Sequence, residues 1–494
     1  MRDIYSCSVS KTRLSTGLQG LDRILNGGVV EGYSTLLRGP PGAGKTIAGL
    51  HFLTSGDDDE TAPLFINLGE PNHYVKETAR EFDLGPENVT FLNLSPTKER
   101  FVEAESYSLF ESAEVEQPSY VQRLRDTVEE LEPDRVLLDP ITEFRYLTTD
   151  EHQFRKQILS LLDFLKSHEA TVMLTSQASE SISDSDLQFL TDAVISLDST
   201  PSGRTVRVSK FRGSSFQRGF HTYTIAEDGV SVWPRLTPDK EIDPSEYQLD
   251  TLSSGVPELD ELLNGGVETG TVTFLSGPTG VGKTTTGLQF LKEAAAREKR
   301  SVLFSFEESK HTLLHRAESI NIPIRKAVEN GNLSIVEVLP EEFTVDEFGD
   351  IVRSAVEDDV ELVMIDGIRG FIQNVRGTRG SPYDDILRIG RYLRSQDVTT
   401  IMVSEVNNIT GDFRATEEGT SNLADNIVFL RHVEVNGELR KVIGALKMRT
   451  SDFERSLREL EITEYGLRVG EPLPKLRGIL TGTPEWNETT NETR

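Results

Sequence analysis

A long internal repeat is the feature that most limits how this chain can fold. Residues 15–22, STGLQGLD, align without a gap with residues 253–260, SSGVPELD, and the register is kept as far as Glu70 and Glu308. Repeats of this length exceed the solenoid units of about 20–50 residues, and each is large enough to bury its own core. The 494-residue chain therefore predicts two homologous domains.

Each half alternates short apolar runs with helical stretches. The runs cover residues 34–37, 64–68, 135–138 and 171–174, then 272–275, 302–306, 362–365 and 400–403. Continuous apolar strands with helical connections predict an α/β fold with a mostly parallel sheet, which binds ligands beyond the carboxyl ends of its strands. From turn residues and prolines we expect a first domain at 1–236, a linker at 237–244, a second domain at 245–470 and an irregular tail at 471–494.

Two glycine-rich loops occupy the same place in the repeat. Each fits GxxxxGK[ST] and lies between an apolar run and a helical run, as a phosphate-binding loop must. The residues are Gly39, Pro40, Pro41, Gly42, Ala43, Gly44, Lys45 and Thr46, and then Gly277, Pro278, Thr279, Gly280, Val281, Gly282, Lys283 and Thr284. Loop amides and the helix N-terminus attract phosphate, the lysines contact the β/γ oxygens, and the threonines ligate magnesium. A phosphate-bearing nucleotide and Mg²⁺ are the expected ligands, and the family resemblance described below implies that the nucleotide is ATP.

An aspartate closes an apolar strand downstream of each loop. Asp139 ends the run RVLLD, and Asp366 ends the run LVMID. A carboxylate at the end of such a strand is able to hold Mg²⁺ through water. We therefore expect Asp139 and Asp366 to complete the two metal sites together with Thr46 and Thr284.

The halves differ in the carboxylates that lie between the loop and this aspartate. Glu307 and Glu308 end a strand of the second half, whereas the aligned residues of the first half are Gly69 and Glu70. Nucleotide hydrolysis and phosphoryl transfer need a carboxylate that orients the attacking oxygen and accepts its proton. We expect Glu307 as the base and Glu308 as its support. In the first half, either Glu70 suffices alone or turnover is slow or absent.

Several motifs together resemble one family. They are the lead-in before each loop, the strand-end sequence FEES at 306–309, and the late motifs KFRG at 210–213 and KMR at 447–449. This combination is similar to the double phosphate-loop, RecA-like ATPases of the KaiC type, known from the cyanobacterial clock and from archaeal relatives. The resemblance covers nearly the whole chain. It implies two tandem RecA-like P-loop domains, a homohexameric double ring with ATP between subunits, slow ATP hydrolysis and regulatory protein partners.

The same resemblance implies roles for the two late basic motifs. Lys210 and Arg212, and then Lys447 and Arg449, would contact the phosphates bound by the neighbouring subunit. A guanidinium group delivered from a neighbour neutralises charge on the transferred phosphoryl group and couples turnover to assembly. The alternative is a basic pair at the end of an edge strand.

Founding members of the family autophosphorylate an adjacent serine and threonine in the second domain. Here Ser421 keeps the serine, but Asn422 replaces the threonine, which argues against a two-site phosphorylation cycle. Autophosphorylation of Ser421, with Thr420 or Thr416 as substitutes, stands beside a simple turn as the two interpretations. Any kinase activity is expected in the second domain.

Charge and composition separate the remaining alternatives. The chain has 81 acidic and 52 basic residues and a net charge of −29, which disfavours a nucleic-acid-dependent ATPase of the RecA type. An ATP-gated protein scaffold is a further alternative. The scattered acidic excess suits a halophilic protein, although an ordinary acidic protein fits as well. One cysteine and the lack of an apolar segment of membrane-spanning length lead us to expect a cytoplasmic protein.

Overall fold

Two compact units make up the chain, Met1–Arg235 and Leu236–Arg494. The computed structural model describes residues 11–56, 62–94, 117–147, 150–177, 184–201, 203–238, 250–340, 342–375, 381–406, 422–435, 437–449, 451–474, 476–477 and 485–486. Leu236, which we expected at the end of the first domain, is buried in the core of the second unit. Most of the expected linker lies outside the described residues.

The first unit is built on one nine-stranded sheet with the order β11-β10-β9-β8-β3-β7-β6-β4-β5. The strands of this unit are β1 Arg13–Leu14, β2 Val29–Val30, β3 Ser34–Gly39, β4 Pro63–Asn67, β5 Thr90–Asn93, β6 Arg135–Asp139, β7 Thr171–Gln177, β8 Ala193–Thr200, β9 Gly203–Phe211, β10 His221–Ala226 and β11 Gly229–Trp233. The strands from β8 to β5 run parallel, and β9, β10 and β11 continue the sheet in antiparallel order. The pair β1 and β2 lies outside this sheet.

The second unit repeats this arrangement with the order β16-β15-β17-β18-β14-β19-β20-β21-β22. Its strands are β12 Thr251–Leu252, β13 Val267–Glu268, β14 Val272–Gly277, β15 Ser301–Ser305, β16 Leu333–Glu337, β17 Leu362–Asp366, β18 Thr399–Glu405, β19 Asn426–Val435, β20 Glu438–Lys447, β21 Arg458–Thr463, β22 Gly466–Pro472, β23 Leu476–Arg477 and β24 Glu485–Trp486. Parallel strands again extend from β16 to β19, followed by an antiparallel part. The eight strands expected from sequence are all present, so the tandem RecA-like α/β fold is confirmed.

Helices cover both faces of each sheet. In the first unit they are α1 Gln19–Ile24, α2 Lys45–Thr54, α3 Asn72–Glu81, α4 Gln117–Leu131, α5 Glu151–Ser167 and α6 Ser185–Leu190, with 3-10 turns at Pro86–Asn88 and Ile141–Leu147. In the second unit they are α7 Pro257–Leu262, α8 Lys283–Ala296, α9 Lys310–Ser319, α10 Arg325–Glu329, α11 Val345–Glu357, α12 Ile368–Asn374 and α13 Pro382–Ser395. Each sheet has one apolar cluster on either side, as strands buried on both faces require.

The repeated lead-in has a structural role. Asp22 accepts hydrogen bonds from the amide of Thr16 at 2.8 Å and from the hydroxyls of Thr16 and Ser15, both at 2.6 Å. Asp260 makes the same contacts with Ser253 and Ser254. The recurring sequence therefore fixes the same turn ahead of α1 and of α7, because its short polar side chains satisfy the turn's backbone.

The chain end departs from the irregular tail expected at 471–494. Strand β22 continues to Pro472, and the two short strands β23 and β24 pair antiparallel with each other. Paired backbone groups at Leu476–Arg477 and Glu485–Trp486 satisfy each other's hydrogen bonds, which turn composition alone does not reveal. The remaining residues of this segment after 474 lie outside the described part of the chain.

Candidate nucleotide-binding sites

Each glycine-rich loop joins the sheet's central strand to a helix. We call the surroundings of the loop at 39–46 the first site and those of the loop at 277–284 the second site. Gly42 and Gly280 have φ angles of 73° and 74°, in the left-handed region that favours glycine. A Cβ added to either would have no neighbour within 4 Å among the described residues. Both loops therefore present open backbone ahead of a helix N-terminus, as a phosphate site requires.

In each loop, the residue between the last two glycines is buried in the protein and fixes the loop to the core. Ala43 is fully buried, and its carbonyl accepts a hydrogen bond of 2.7 Å from the hydroxyl of Tyr223. Val281 is fully buried in the core of the second unit. These contacts hold the loop backbone in place while its outer face stays accessible.

The loop lysines are buried and bind carbonyl groups of their own loops. Lys45 Nζ donates to Gly39 O and Pro40 O, both at 2.9 Å, and Lys283 Nζ donates to Pro278 O at 2.9 Å. Burial lowers the pKa of both ammonium groups, against the attraction of nearby carboxylates. An entering phosphate would restore an anionic partner to each lysine.

A hydroxyl and a carboxylate meet beside each loop, as expected from sequence. Thr46 Oγ1 donates to Asp139 Oδ2 at 2.6 Å, and Thr284 Oγ1 donates to Asp366 Oδ1 at 3.0 Å. Burial raises the pKa of Asp139, while hydrogen bonds from Thr175 and Thr46 oppose the rise. Burial and the charge of Glu307 raise the pKa of Asp366 to about 7. These oxygen donors fit Mg²⁺, whose charge would favour both carboxylates in their ionised form.

A cavity of about 430 Å³ surrounds the first loop. Its lining includes Lys45, Thr46, Asn67, Glu70, Asp139 and Gln177. This volume falls within the range of pockets that hold small molecules. The position of the cavity beyond the carboxyl ends of parallel strands is the usual location of ligands in such sheets.

Carboxylates surround the second site. Glu307 is solvent-accessible at the rim, and partial burial together with the charge of Glu405 raises its pKa. Glu308 forms an ion pair of 3.0 Å with Arg316. Ser309 accepts a hydrogen bond of 3.2 Å from Thr312 N at the start of α9, which fixes the chain directly after the glutamate pair.

Glu405 was not singled out from the sequence. It ends β18, opposite Gly277 of the loop strand, and accepts a hydrogen bond from the hydroxyl of Thr279. The signal that identifies Glu405 is the strand order, because β18 lies between the loop strand β14 and the strand that ends at Asp366. In the first site the residue opposite Gly39 is Gln177.

The first site lacks this arrangement of carboxylates. Gly69 stands where the second site has Glu307, and Glu70 is exposed. Asn67 donates its side-chain amide to the carbonyl of Glu70 and to Asn72 Oδ1, the latter at 2.8 Å. The residue aligned with Arg316 is Thr78, which has no positive charge to pair with Glu70.

The late basic motifs lie at the amino ends of the parallel strands, whereas the phosphate loop of the same unit lies at their carboxyl ends. Lys210 Nζ donates to Gln188 O at 2.8 Å, and Lys447 Nζ donates to Ala424 O. Strand β9 reaches Phe211 beside Ala193 at the amino end of β8. Because the loop strand spans six residues, about 17 Å separates its two ends. The structure therefore does not bring Lys210, Arg212, Lys447 or Arg449 to the phosphate loop of the same unit.

A buried aspartate holds the arginine of each basic motif. Asp192 Oδ1 accepts from Arg212 at 3.3 Å, and Asp192 Oδ2 accepts from Ser34 N at 3.0 Å, at the start of the loop strand. Burial alone would raise the pKa of Asp192, but Lys166 and Ser34 hold it below its ordinary value.

The second unit repeats this contact. Asp425 Oδ1 accepts from Arg449 at 3.1 Å, and Asp425 Oδ2 accepts from Val272 N at 3.1 Å. Arg394 adds a second ion pair to Asp425 at 3.4 Å. Neither aspartate stands out in the sequence, because its position directly before β8 or β19 becomes informative only once the strand pairing is known.

Comparison with known proteins identifies the family. A family model described as "ATPase: KaiC" matches residues 14–237 and again residues 252–473. The chain belongs to the KaiC family of ATPases. It is 26% identical to the circadian clock oscillator protein KaiC of Prochlorococcus marinus, over 96% of this chain and 95% of that protein. Identity is also 26% to the proteins of the same name from Synechococcus elongatus and Thermostichus vulcanus, which cover 96% and 97% of this chain and are themselves covered over 92%.

The KaiC-family match places both phosphate loops inside repeated family domains, in agreement with the repeat found in the sequence. Ser421, the expected phosphoacceptor, lies outside the described residues, as do Thr416 and Thr420. In the part of the chain that the structure describes, no helix is both long and apolar enough to cross a membrane.

Proposed function

We propose that this KaiC-family chain is a regulatory ATPase that binds ATP at both phosphate loops and hydrolyses it mainly at the second. The observation that carries the proposal is the pair Glu307 and Glu308, which lies at the end of β15, next to the strand that ends at Asp366. The first site has the loop and the aspartate but glycine in place of the first glutamate. Binding groups are thus present twice, and a full set of candidate catalytic groups is present once.

In the second site, different residues would bind the phosphates, hold the metal ion and accept the proton of the attacking water. Lys283 would exchange its contact with Pro278 O for the β and γ phosphate oxygens, and Thr284 and Asp366 are the residues that would hold a magnesium ion. An ion held there would supply positive charge that offsets the charge of the phosphates. Glu307 orients a water molecule and accepts its proton as the oxygen bonds to the γ phosphorus and the bond to the β-phosphate oxygen breaks. The electron pair of that bond leaves with ADP.

Surrounding charges suit Glu307 to this role. Partial burial and Glu405 raise its pKa, so its carboxylate is more basic than an ordinary glutamate. Glu308 is tied to Arg316 and would support the position of Glu307. In the first site Glu70 is the one carboxylate left in the aligned pair, which favours slow or absent turnover there.

We further propose that the chain acts as a homohexameric ring. Lys447 and Arg449, and Lys210 and Arg212, lie at the sheet edge remote from their own loop, so a role at phosphates requires a neighbouring subunit. An arginine supplied in trans stabilises the charge that develops in phosphoryl transfer. The relatives that are named circadian clock oscillator proteins support a regulatory role with protein partners.

Autophosphorylation is the second proposed activity of the second domain. The sequence places Ser421 four residues before Asp425, which pairs with Arg449. The hydroxyl oxygen of Ser421 would replace water as the nucleophile at the second site of a neighbouring subunit. Its proton would pass to the glutamate at position 307 of that site and the γ-phosphoryl group to the serine, while ADP leaves.

Two further interpretations remain as outcomes of the test. A nucleic-acid-dependent ATPase shares the RecA-like fold, but the net charge of −29 opposes it. A protein scaffold gated by ATP would bind nucleotide without significant turnover.

The test is incubation of the purified protein with γ-labelled ATP and Mg²⁺, with released phosphate and label on the protein as the two measurements. We expect Glu307→Gln to lower phosphate release by about 10²-fold or more, as loss of a general base does. The exposed Glu129→Gln on α4 is the matched control and should behave as wild type. Label that is absent in Ser421→Ala supports autophosphorylation, and release without label leaves an ATPase alone.

Unchanged turnover in Glu307→Gln would overturn the assignment of the base. Nucleotide binding without turnover in the wild type would favour the scaffold. Stimulation by single-stranded DNA that persists in high salt would instead favour the nucleic-acid machine, since nonspecific binding weakens with salt.

A further inference from the structure

The side chain of Glu307 lies against a residue that has no side chain. Gly367 directly follows Asp366, and a Cβ added to it would lie 2.8 Å from Glu307 Oε1 and 2.9 Å from Glu307 Cγ. Real Cβ atoms essentially never approach other atoms below 3.0 Å. In its present conformation the glutamate therefore occupies space that a Cβ at position 367 would enter.

The corresponding space in the first site is filled. Pro140 directly follows Asp139, and a Cβ added to Gly69 would lie 3.1 Å from Pro140 Cδ. This distance is tighter than nine in ten real Cβ contacts, and the atom it meets belongs to a ring closed on the backbone. A side chain at position 69 and the ring at position 140 compete for the same volume.

Backbone contacts show that the two pairs of positions are equivalent. Leu68 N donates to Asp139 O at 3.0 Å, and Phe306 N donates to Asp366 O at 3.2 Å. Strand pairing agrees, because Asn67 lies opposite Asp139 and Ser305 lies opposite Asp366. The two strand ends are thus paired in the same way up to the residues that directly precede positions 69 and 140, and positions 307 and 367.

We propose that the residue after the strand-end aspartate decides whether each site admits a catalytic glutamate: Gly367 makes room for Glu307, and Pro140 excludes a glutamate from position 69. Gly367 and Pro140 are positioning residues. The first site consequently retains a nucleoside triphosphate without cleaving it, and restoring the missing glutamate alone does not restore hydrolysis. This inference rests on the proposed function, in which Glu307 is the base of the second site.

The steric part is tested by a double-mutant cycle on the melting temperature without nucleotide. Gly69→Glu should lower the Tm of the first unit by about 3 °C, because an overpacked side chain must displace its neighbour. In a Pro140→Gly protein, Gly69→Glu should lower the Tm by less than half as much. Additive changes in Tm would overturn the proposal, since uncoupled positions do not compete for space.

The catalytic part is tested in a chain whose second site is silenced by Glu307→Gln and Glu308→Gln. Single-turnover hydrolysis of γ-labelled ATP should stay at background for Gly69→Glu and rise about 10-fold or more for Gly69→Glu with Pro140→Gly. The matched control is Gly69→Gln with Pro140→Gly, which has the same size without a base. It should show the relief in Tm but no hydrolysis.

Hydrolysis by Gly69→Glu alone, or none by the paired substitution, overturns the proposal. Equal hydrolysis by Gly69→Gln with Pro140→Gly also overturns the proposal, because the increase in hydrolysis would then come from the removal of the steric clash and not from a base at position 69. Failure of the proposed function is recognised separately, by unchanged turnover in Glu307→Gln alone. In that case the Tm cycle, which needs no nucleotide, still decides whether Pro140 competes with position 69.

Discussion

The first and second sites have the same backbone arrangement, but they differ in the side chains at the ends of the strands that line them. Loop, helix, hydroxyl and buried aspartate recur, and the hydrogen bond from the threonine hydroxyl to the aspartate measures 2.6 Å in the first site and 3.0 Å in the second. The pairs that differ are Gly69 and Glu307, Pro140 and Gly367, and Gln177 and Glu405. Under the proposed function, binding and turnover would depend on separate residues, so that a duplicated fold is able to keep one and change the other.

The largest expected difference between the halves concerns the two basic motifs. Arg449→Ala should reduce phosphate release about 10³-fold, whereas Arg212→Ala should change it less than about twofold, because a trans arginine matters only where phosphoryl transfer occurs. Steady-state phosphate release at fixed protein concentration measures both. Arg440→Ala, which removes ion pairs with Glu438 of the same strand and Glu459 of the next, is the control.

Mixing sharpens this first test. Subunits with Arg449→Ala and subunits with Glu307→Gln should regain turnover when mixed, since some interfaces then combine an intact arginine with an intact base. A mixture that stays as inactive as its components would contradict action in trans.

Acid should act in opposite directions through two buried groups, His221 in the first half and Asp366 in the second. Burial lowers the pKa of His221 in the first unit from 6.5 to about 4. The unfolded chain takes up this proton near pH 6.5, so the first unit loses up to about 3 kcal/mol as pH falls from about 6.5 to 4. The raised pKa of Asp366 acts oppositely, because the folded second unit binds that proton more strongly and gains stability as pH falls below 7.

Calorimetry of the ligand-free protein between pH 7 and 4.5 measures this difference. The transition of the first unit should fall less with decreasing pH in His221→Gln than in the wild type. An unchanged pH dependence of that transition in His221→Gln would contradict the assignment of His221.

A smaller effect is expected when Glu405 of the second site is replaced by glutamine, the residue that stands at the equivalent position 177 of the first site. Glu405→Gln removes a negative charge that raises the pKa of Glu307, so the acid limb of the pH profile of kcat/KM should shift to lower pH. Gln177→Gly in the first site serves as a control that leaves this limb unchanged. A shift to higher pH would show that Glu405 does not act on Glu307 through its charge.

Raising the salt concentration should change the melting temperatures of both halves alike, and this is the smallest of the expected effects. If the net charge of −29 reflects a halophilic protein, raising KCl from about 0.1 to 2 M should increase Tm by screening self-repulsion. A flat or falling Tm would remove that interpretation.

The sequence was informative where a local pattern carries the chemistry. The phosphate loops, the strands that precede them and the strand-end positions of Asp139 and Asp366 follow from spacing and apolar runs, because each is set by neighbours in the chain. The repeat identified the tandem fold by the same reasoning.

Residues joined only by the sheet could not be recognised in this way. Glu405 comes beside Thr279 because β18 pairs with β14, across more than a hundred residues of sequence. Asp192 and Asp425 meet the loop strands through similar long-range pairing. The competition between positions 69 and 140 depends on a distance of 3.1 Å that no pattern of residue types contains.

The burial of Leu236 bears on how the two halves are to be produced as fragments. Arg235 N donates to His221 Nδ1 at 3.0 Å in the first unit, while the next side chain packs against Gly349 in the second. A Cβ on Gly349 would lie 3.1 Å from Leu236 Cγ, so the glycine leaves room for the leucine. A second-half fragment that starts after Leu236 would carry a hole in its core and lose about 3 kcal/mol. Expression boundaries for that half therefore belong upstream of Leu236, although the repeat and its phosphate loop begin later.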